Sequence, residues 1–318
     1  MSQNRNAILA LCSPLCREDG PAPLRPKEYY DIVTLLSQVG KHPADLFAFT
    51  EQDFSELFCW GPQQLSRIIS LLRRWEAQER ALCSYEAMDL GVITCEEEGF
   101  PLLLAQKLGK HCPPLFCYAG NLALTKHSFT GYVGSRVVEQ RDLDFTVSAV
   151  RKSLSQGYGI VSGGAVGVDT IARREALLRG GVCVEYIATS LAAKRGDADL
   201  LPSIKAGKLL LLSATSPEAD FHPAYALMRN RYIYAQSEGT VAVRADLCKG
   251  GTRAGALENL KHGWCAPLCW DHPYPGNQAL ISQGAIPIAE HWDGQIPLWE
   301  PQKATEEVYE QLLLYDTE

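Results

Sequence analysis

Three short glycine-bearing turns constrain this chain more than any other feature: Val133-Gly134-Ser135-Arg136, Ser162-Gly163-Gly164-Ala165-Val166-Gly167-Val168-Asp169 and Lys249-Gly250-Gly251-Thr252. Each follows a short apolar run that reads as a strand, and each opens a stretch with helical periodicity. Strand, tight turn and helix start, repeated, make βα units. Repeated βα units require a mainly parallel sheet with helices on both faces. The same geometry suits anions, because glycine lets the backbone approach a ligand while free N–H groups and the helix dipole favour negative charge. Three such turns, two of them beside Arg136 and Lys249, predict a phosphate-binding surface. Its candidate residues are Gly134, Ser135, Arg136, Ser162, Gly163, Gly164, Gly167, Lys249, Gly250, Gly251 and Thr252.

The rest of the chain divides around that core. Residues 1–28 carry four prolines (Pro14, Pro21, Pro23, Pro26) and little periodicity, and read as a loosely ordered leader. Residues 29–88 show apolar positions at three- and four-residue spacing, broken by Gly40 and Gly61, which predicts a small all-helical domain. Within it, the stretch from Leu57 through Trp60-Gly61-Pro62 to Ile68 resembles the hairpin of a helix-hairpin-helix or SAM-like unit. Such a hairpin can offer amides to a DNA phosphate, with Arg67, Arg73, Arg74 and Arg80 nearby. An ordinary helical turn with a solvated basic face is the plainer explanation and is favoured here. Residues 89–128 read as a connecting segment. Candidate strands then follow at 130–133, 159–162, 182–188, 209–213, 240–244, 266–270 and 285–288, with helical segments at 143–155, 168–178, 230–236, 254–261 and 278–282. The fold class expected for 129–290 is therefore α/β, an extended Rossmann-like, doubly wound sheet. Residues 291–318 read as an acidic tail with one short amphipathic helix.

Charge enters because the whole-chain value of −7 argues against a polyanionic partner. The distribution reverses that inference. Residues 131–289 hold 17 Lys and Arg against 14 Asp and Glu, a balance of +3, whereas residues 290–318 hold one Lys against eight acids. Local field, not the sum, steers a charged ligand. No apolar run is long enough to cross a membrane and no signal peptide is evident, so a cytoplasmic protein is expected. The 11 cysteines have no paired CxxC spacing and read as reduced and mostly buried.

These motifs, in this order, make the chain similar to the DprA/Smf family of DNA-processing proteins over roughly residues 29–290. The resemblance rests on Phe100-Pro101 with Leu103-Leu104, on Leu115 through Gly120-Asn121, on Val133-Gly134-Ser135-Arg136 and on Ser162 through Asp169 followed by Ala172. Arg229-Asn230-Arg231 with Ile233, and Gly276-Asn277 with Leu280-Ile281, complete it. The resemblance implies a helical N-terminal domain on a Rossmann-like domain that binds single-stranded DNA. It further implies homodimers and help in loading the recombinase RecA, with no cofactor, metal or turnover. Arg229 and Arg231 join the candidate site, one of them expected to be structural and paired with Asp169 or Glu258. Asp169 and Asn230 are expected to orient loops. The chain departs from the family pattern at Arg173-Arg174, where a His is usual, and at Arg244, and its last residues are expected to form a short helix in place of a winged-helix domain.

One alternative belongs to a different class, a nucleotide-binding sensor or an enzyme acting on nucleoside monophosphates. Gly250-Gly251-Thr252 followed by Glu258 loosely resembles the loop of LOG-like nucleoside-monophosphate phosphoribohydrolases, in which a Glu supports glycosidic cleavage. A dinucleotide oxidoreductase fits less well, because Gly163, Gly164 and Gly167 do not form G-x-G-x-x-G. His262, His272 and His291 have no trustworthy zinc-ligand spacing with Cys265 and Cys269.

Overall fold

Runs such as Leu209-Leu210-Leu211-Leu212 are apolar at every position instead of alternating, the mark of strands covered on both faces. The computed structural model, which describes residues 3–16, 20–247 and 250–289, builds them into a parallel sheet. Lys249 and the acidic tail expected over 291–318 lie outside the described residues. The chain forms two compact units, one built on Met1–Tyr118 and the other on Ala119–Ser213 with Glu218–Lys303.

In the first unit the helices are α1 (Gln3–Cys12), α2 (Pro26–Gln38), α3 (Glu51–Phe58), α4 (Pro62–Arg73), α5 (Trp75–Glu86) and α6 (Leu102–Leu108). β1 (Gly91–Thr94) pairs antiparallel with β2 (Leu115–Ala119), so the segment expected as a connector carries structure of its own. The expectation of a loosely ordered leader is corrected over Gln3–Cys12. Ala7 to Leu11 are at most 1% exposed, and a run apolar at every position lacks the one-sided stripe that marks a surface helix. Buried Arg5 pairs with Glu97 at 3.2 Å.

The hairpin arginines of this unit largely have structural work. Arg67 bonds Glu28 at 2.7 Å, and Arg74 donates to the carbonyls of Ala10 and Ser13 at the end of α1, where no intrahelical donor remains. Arg80 pairs with Glu76 at 3.8 Å.

The second unit contains β3 (Phe129–Val133), α7 (Gln140–Ser155), β4 (Gly159–Ser162), α8 (Val168–Leu178) and β5 (Cys183–Tyr186). It continues through α9 (Leu191–Arg195), α10 (Leu201–Lys205), β6 (Leu209–Ser213), α11 (Pro223–Gln236) and β7 (Gly239–Ala242). It ends with α12 (Gly251–His262), β8 (Ala266–Trp270), α13 (Pro275–Ser282) and β9 (Ile286–Ile288). Its strands lie in the order β6-β5-β4-β3-β7-β8-β9, every pair parallel, with Thr130 opposite Ile160 on one side and Gly131 opposite Thr240 on the other. This is the doubly wound α/β fold expected from the glycine turns. α8 occupies the expected residues, whereas α11 starts seven residues before the expected 230. Pro223 opens it, His222 Nδ1 accepts from the Ala224 amide at 3.2 Å, and exposed Leu227 and Met228 blur its amphipathic pattern.

Burial pushes the thiols of Cys117 and Cys269 up to about 12, as expected of cysteines that serve as small hydrophobes.

Candidate functional site

From β3 the chain winds outward through β4, β5 and β6, then returns along α11 to lay β7 on the other side of β3. Connections that leave neighbouring strands in opposite directions open a crevice above the strand ends, which is where open α/β sheets bind ligands. A cavity of about 580 Å³ occupies it, lined by Gly134, Ser135 and Arg136 after β3, Ala165 and Asp169 after β4, and Asp246, Gly250, Gly251 and Thr252 after β7. α11 adds Pro223, Leu227, Arg229 and Asn230, and the loop before it adds Phe221.

The turn after β3 forms one wall. Ser135 Oγ accepts from the Val137 amide at 3.1 Å, while the Gly134 carbonyl accepts from Thr252 Oγ1 at 3.1 Å. Arg136 is exposed, its guanidinium carbon 5.2 Å from the centre of the Phe221 ring. A cation beside an exposed aromatic ring can bind a phosphate and stack a base together.

The turn after β4 is organised inward. Asp169 Oδ2 accepts from the amides of Gly163 (3.1 Å) and Ala165 (3.2 Å), so the turn's own carboxylate occupies the position an anionic ligand would take. Gly167, at φ +82°, caps α8 with its Cα against the Ser135–Arg136 backbone, where any Cβ would collide. Gly163 has no room for a side chain because the Arg229 guanidinium lies over it. Ser162 is fully buried, and its hydroxyl donates to Glu185 Oε1 at 3.4 Å. Ser162, Gly163, Gly164 and Gly167 thus do not line this cavity.

Beneath this turn sits a cluster of buried charge. Arg229 Nη1 lies 3.5 Å from Asp169 Oδ2, and Arg173 Nη1 lies 2.9 Å from Glu185 Oε1. Burial pushes the Asp169 carboxyl above its ordinary value, with Arg229 and the two amides opposing. The same burial pushes Arg229 below its own, with Asp169 and Glu185 opposing. Burial also raises Glu185 against the pull of Arg173. Each pair offsets desolvation only in part. Arg231 is placed elsewhere: its Nε forms an ion pair with Glu258 at 2.8 Å, without hydrogen-bond geometry, and it is absent from the lining. Glu258, on which the phosphoribohydrolase alternative depends, is absent as well and is held by that pair.

The turn after β7 is built differently. Gly250 caps α12 at φ +109°, Asn230 Nδ2 holds the Gly251 carbonyl at 3.0 Å, and the first turn of α12 contains no acidic residue. Its first amides have no intrahelical acceptor and meet the cavity wall with the positive end of the helix dipole. Sequence reasoning missed Phe221 and Asp246, which come from loops without a motif. The only available signal for Phe221 was an aromatic residue two places before the Pro that opens a helix.

The sequence model of the DNA recombination-mediator protein A family matches residues 91–294. The chain is 27% identical over 215 residues to the DNA processing protein DprA of Bacillus subtilis, which spans 66% of this chain and 71% of that protein. It is 32% identical over 177 residues to the DprA of Streptococcus pneumoniae, which spans 54% of this chain and 62% of that one. The X-ray structure of the S. pneumoniae protein superposes with a TM-score of 0.66 at 20% identity, covering 91% of this chain and 95% of the other. A structure of DprA from Helicobacter pylori, described for its single-stranded DNA binding mode, gives a TM-score of 0.51 at 23% identity, covering 63% and 90%. These two structural likenesses bear on the fold. With the family match extending over well more than half of its length, and with the Rossmann-like sheet the family resemblance implies, the chain belongs to the DNA recombination-mediator protein A family.

Proposed function

We propose that this protein binds single-stranded DNA along the crevice between β3 and β7, as a binding protein without turnover. The observation that carries this reading is the crevice itself. Exposed Arg136 stands beside the Phe221 ring, facing the start of a helix with no acid in its first turn. Phosphates take charge-assisted bonds from Arg136 and the α12 amides, while unpaired bases stack on Phe221 and the apolar rim of Leu227 and Val137. Duplex bases are already stacked on one another and cannot use that rim, so the reading favours single strands. Family membership and the binding mode described for the H. pylori protein support it. Phosphates carry no sequence information, so base preference is slight. In the same reading the protein works in the cytoplasm as a homodimer and assists a RecA-type recombinase, roles that rest on the family resemblance.

Fluorescence anisotropy of labelled single-stranded and duplex DNA at two salt concentrations tests it. Salt-sensitive binding that prefers the single strand is expected. Arg136→Ala should weaken binding several-fold and lower the salt slope by about 1. Equal binding of duplex, or an unchanged slope in the variant, would overturn the reading.

A further inference from the structure

Arg229 is only 7% exposed and lines the cavity, and among the described residues its Nε and Nη1, both shielded from solvent, make no hydrogen bond, Nη1 lying over Gly163. Its ion pair with Asp169 is long, at 3.5 Å, and that same carboxylate oxygen already accepts from two backbone amides. A buried guanidinium with unfilled donors is costly unless something completes its bonding. Across the cavity stands the start of α12, a twelve-residue helix with an acid-free first turn, and exposed Arg136 stands at the turn after β3. Three positive groups thus line one cavity, Arg229, the helix start and the exposed arginine, with Asp169 and Asp246 as the carboxylates on the same lining.

We propose that this cavity seats a phosphate monoester of a nucleoside, either the terminal phosphate of a strand or a free nucleoside monophosphate. The inference rests on the single-strand reading above and refines it. A diester inside a strand carries one charge and must leave room for chain on both sides. A monoester carries a charge of about −1.5 to −2 and three terminal oxygens, and can project to a buried cation without an onward chain. The cavity, about 580 Å³, is of the size that holds one small ligand. Asp246, also on the lining, is an acceptor suited to a sugar hydroxyl or a base amine, and it opposes filling the whole cavity with negative charge.

The test uses the wild-type protein and strands of identical sequence with a 5′-phosphate, a 3′-phosphate or hydroxyls at both ends, read by anisotropy. Adenosine 5′-monophosphate and adenosine serve as competitors. A terminal phosphate should tighten binding about tenfold or more, the scale of charge-assisted hydrogen bonds made at one end group. The monophosphate should displace that strand and adenosine should not. Preference for the phosphorylated end without capture of the monophosphate would keep the proposal, with the strand terminus as the source. Capture of the monophosphate by a protein that ignores all three strands would keep it with the free nucleotide as source, and would sink the single-strand reading. Equal binding of all three strands with no effect of the monophosphate would overturn the proposal and leave that reading standing. If neither strand nor monophosphate binds, both fall. Arg229→Lys keeps a charge for Asp169 but removes the planar fork, and should erase the end preference. The wild-type comparison decides the question even if that variant folds poorly.

Discussion

The turns after β4 and after β7 start from nearly the same design and end in opposite electrostatic states. Both place a positive-φ glycine as the cap of the following helix, Gly167 before α8 and Gly250 before α12. Both sit at the C-terminal end of a parallel strand. The difference lies in the second residue of each helix. At α8 it is Asp169, whose carboxylate folds back onto the amides of Gly163 and Ala165 and pairs with Arg229. At α12 it is Thr252, whose hydroxyl donates away from its own turn to the Gly134 carbonyl. One turn has an internal anion. The other has no acid in its helix's own first turn, although Asp246 from the preceding loop lies beside its capping glycine. A glycine-rich turn is therefore an anion site only if the adjacent helix does not supply its own anion.

The largest effect should come from Asp169→Ala, which leaves Arg229 buried without its counter-charge and should cost about 3–5 kcal/mol in urea unfolding. A loss of less than about 1 kcal/mol would mean that the carboxylate does not neutralise the turn after β4.

The two capping glycines sharpen the contrast. Gly167→Ala forces both a disfavoured backbone angle and a collision with the Ser135 carbonyl, and should cost about 3 kcal/mol or more. Among the described residues Gly250→Ala meets only Asp246 Oδ2, at 3.7 Å, so strain dominates and the loss should be about 1–3 kcal/mol. Thermal or denaturant unfolding ranks the pair. Equal losses would show that the packing at Gly167 is looser than the geometry indicates.

Thr252→Val removes one hydroxyl bond and should cost about 0.5–1.5 kcal/mol. The smallest signal is a pH dependence. Burial raises the Asp169 carboxyl, so the folded protein holds that proton more tightly than the unfolded chain does. Its contribution is thus full below the ordinary Asp value and is lost as pH rises through the raised one. The stability gap between wild type and Asp169→Asn should narrow from acid toward neutral pH. A gap that widens would mean that the ion pair with Arg229, not desolvation, controls the site.

How much of this was legible in the sequence follows from the physics of each element. β4 and α8 were plain because an apolar run and a periodic run are separated by glycines that no other structure requires. The crevice was not, since βα order does not fix the strand order that sets β4 and β7 on opposite sides of β3. α1 was hidden because total burial erases amphipathic pattern, and the start of α11 because its first turns expose Leu227 and Met228 at the crevice. The hardest question was which side of a turn is inside. Ser162 and Ser135 read alike in sequence, yet strand register buries the first against Glu185 and leaves the second at the cavity. Phe221 reached the site through a loop, where no periodicity guides the reader.

The most direct test transplants the difference between the two turns. Thr252→Asp gives α12 the carboxylate that α8 already has, at the same helical position. Single-strand affinity measured by anisotropy, with Thr252→Val as the control for the lost hydroxyl, should fall about tenfold or more relative to that control while circular dichroism stays unchanged. Undiminished affinity in Thr252→Asp would contradict the assignment of the α12 turn as the one that meets the strand.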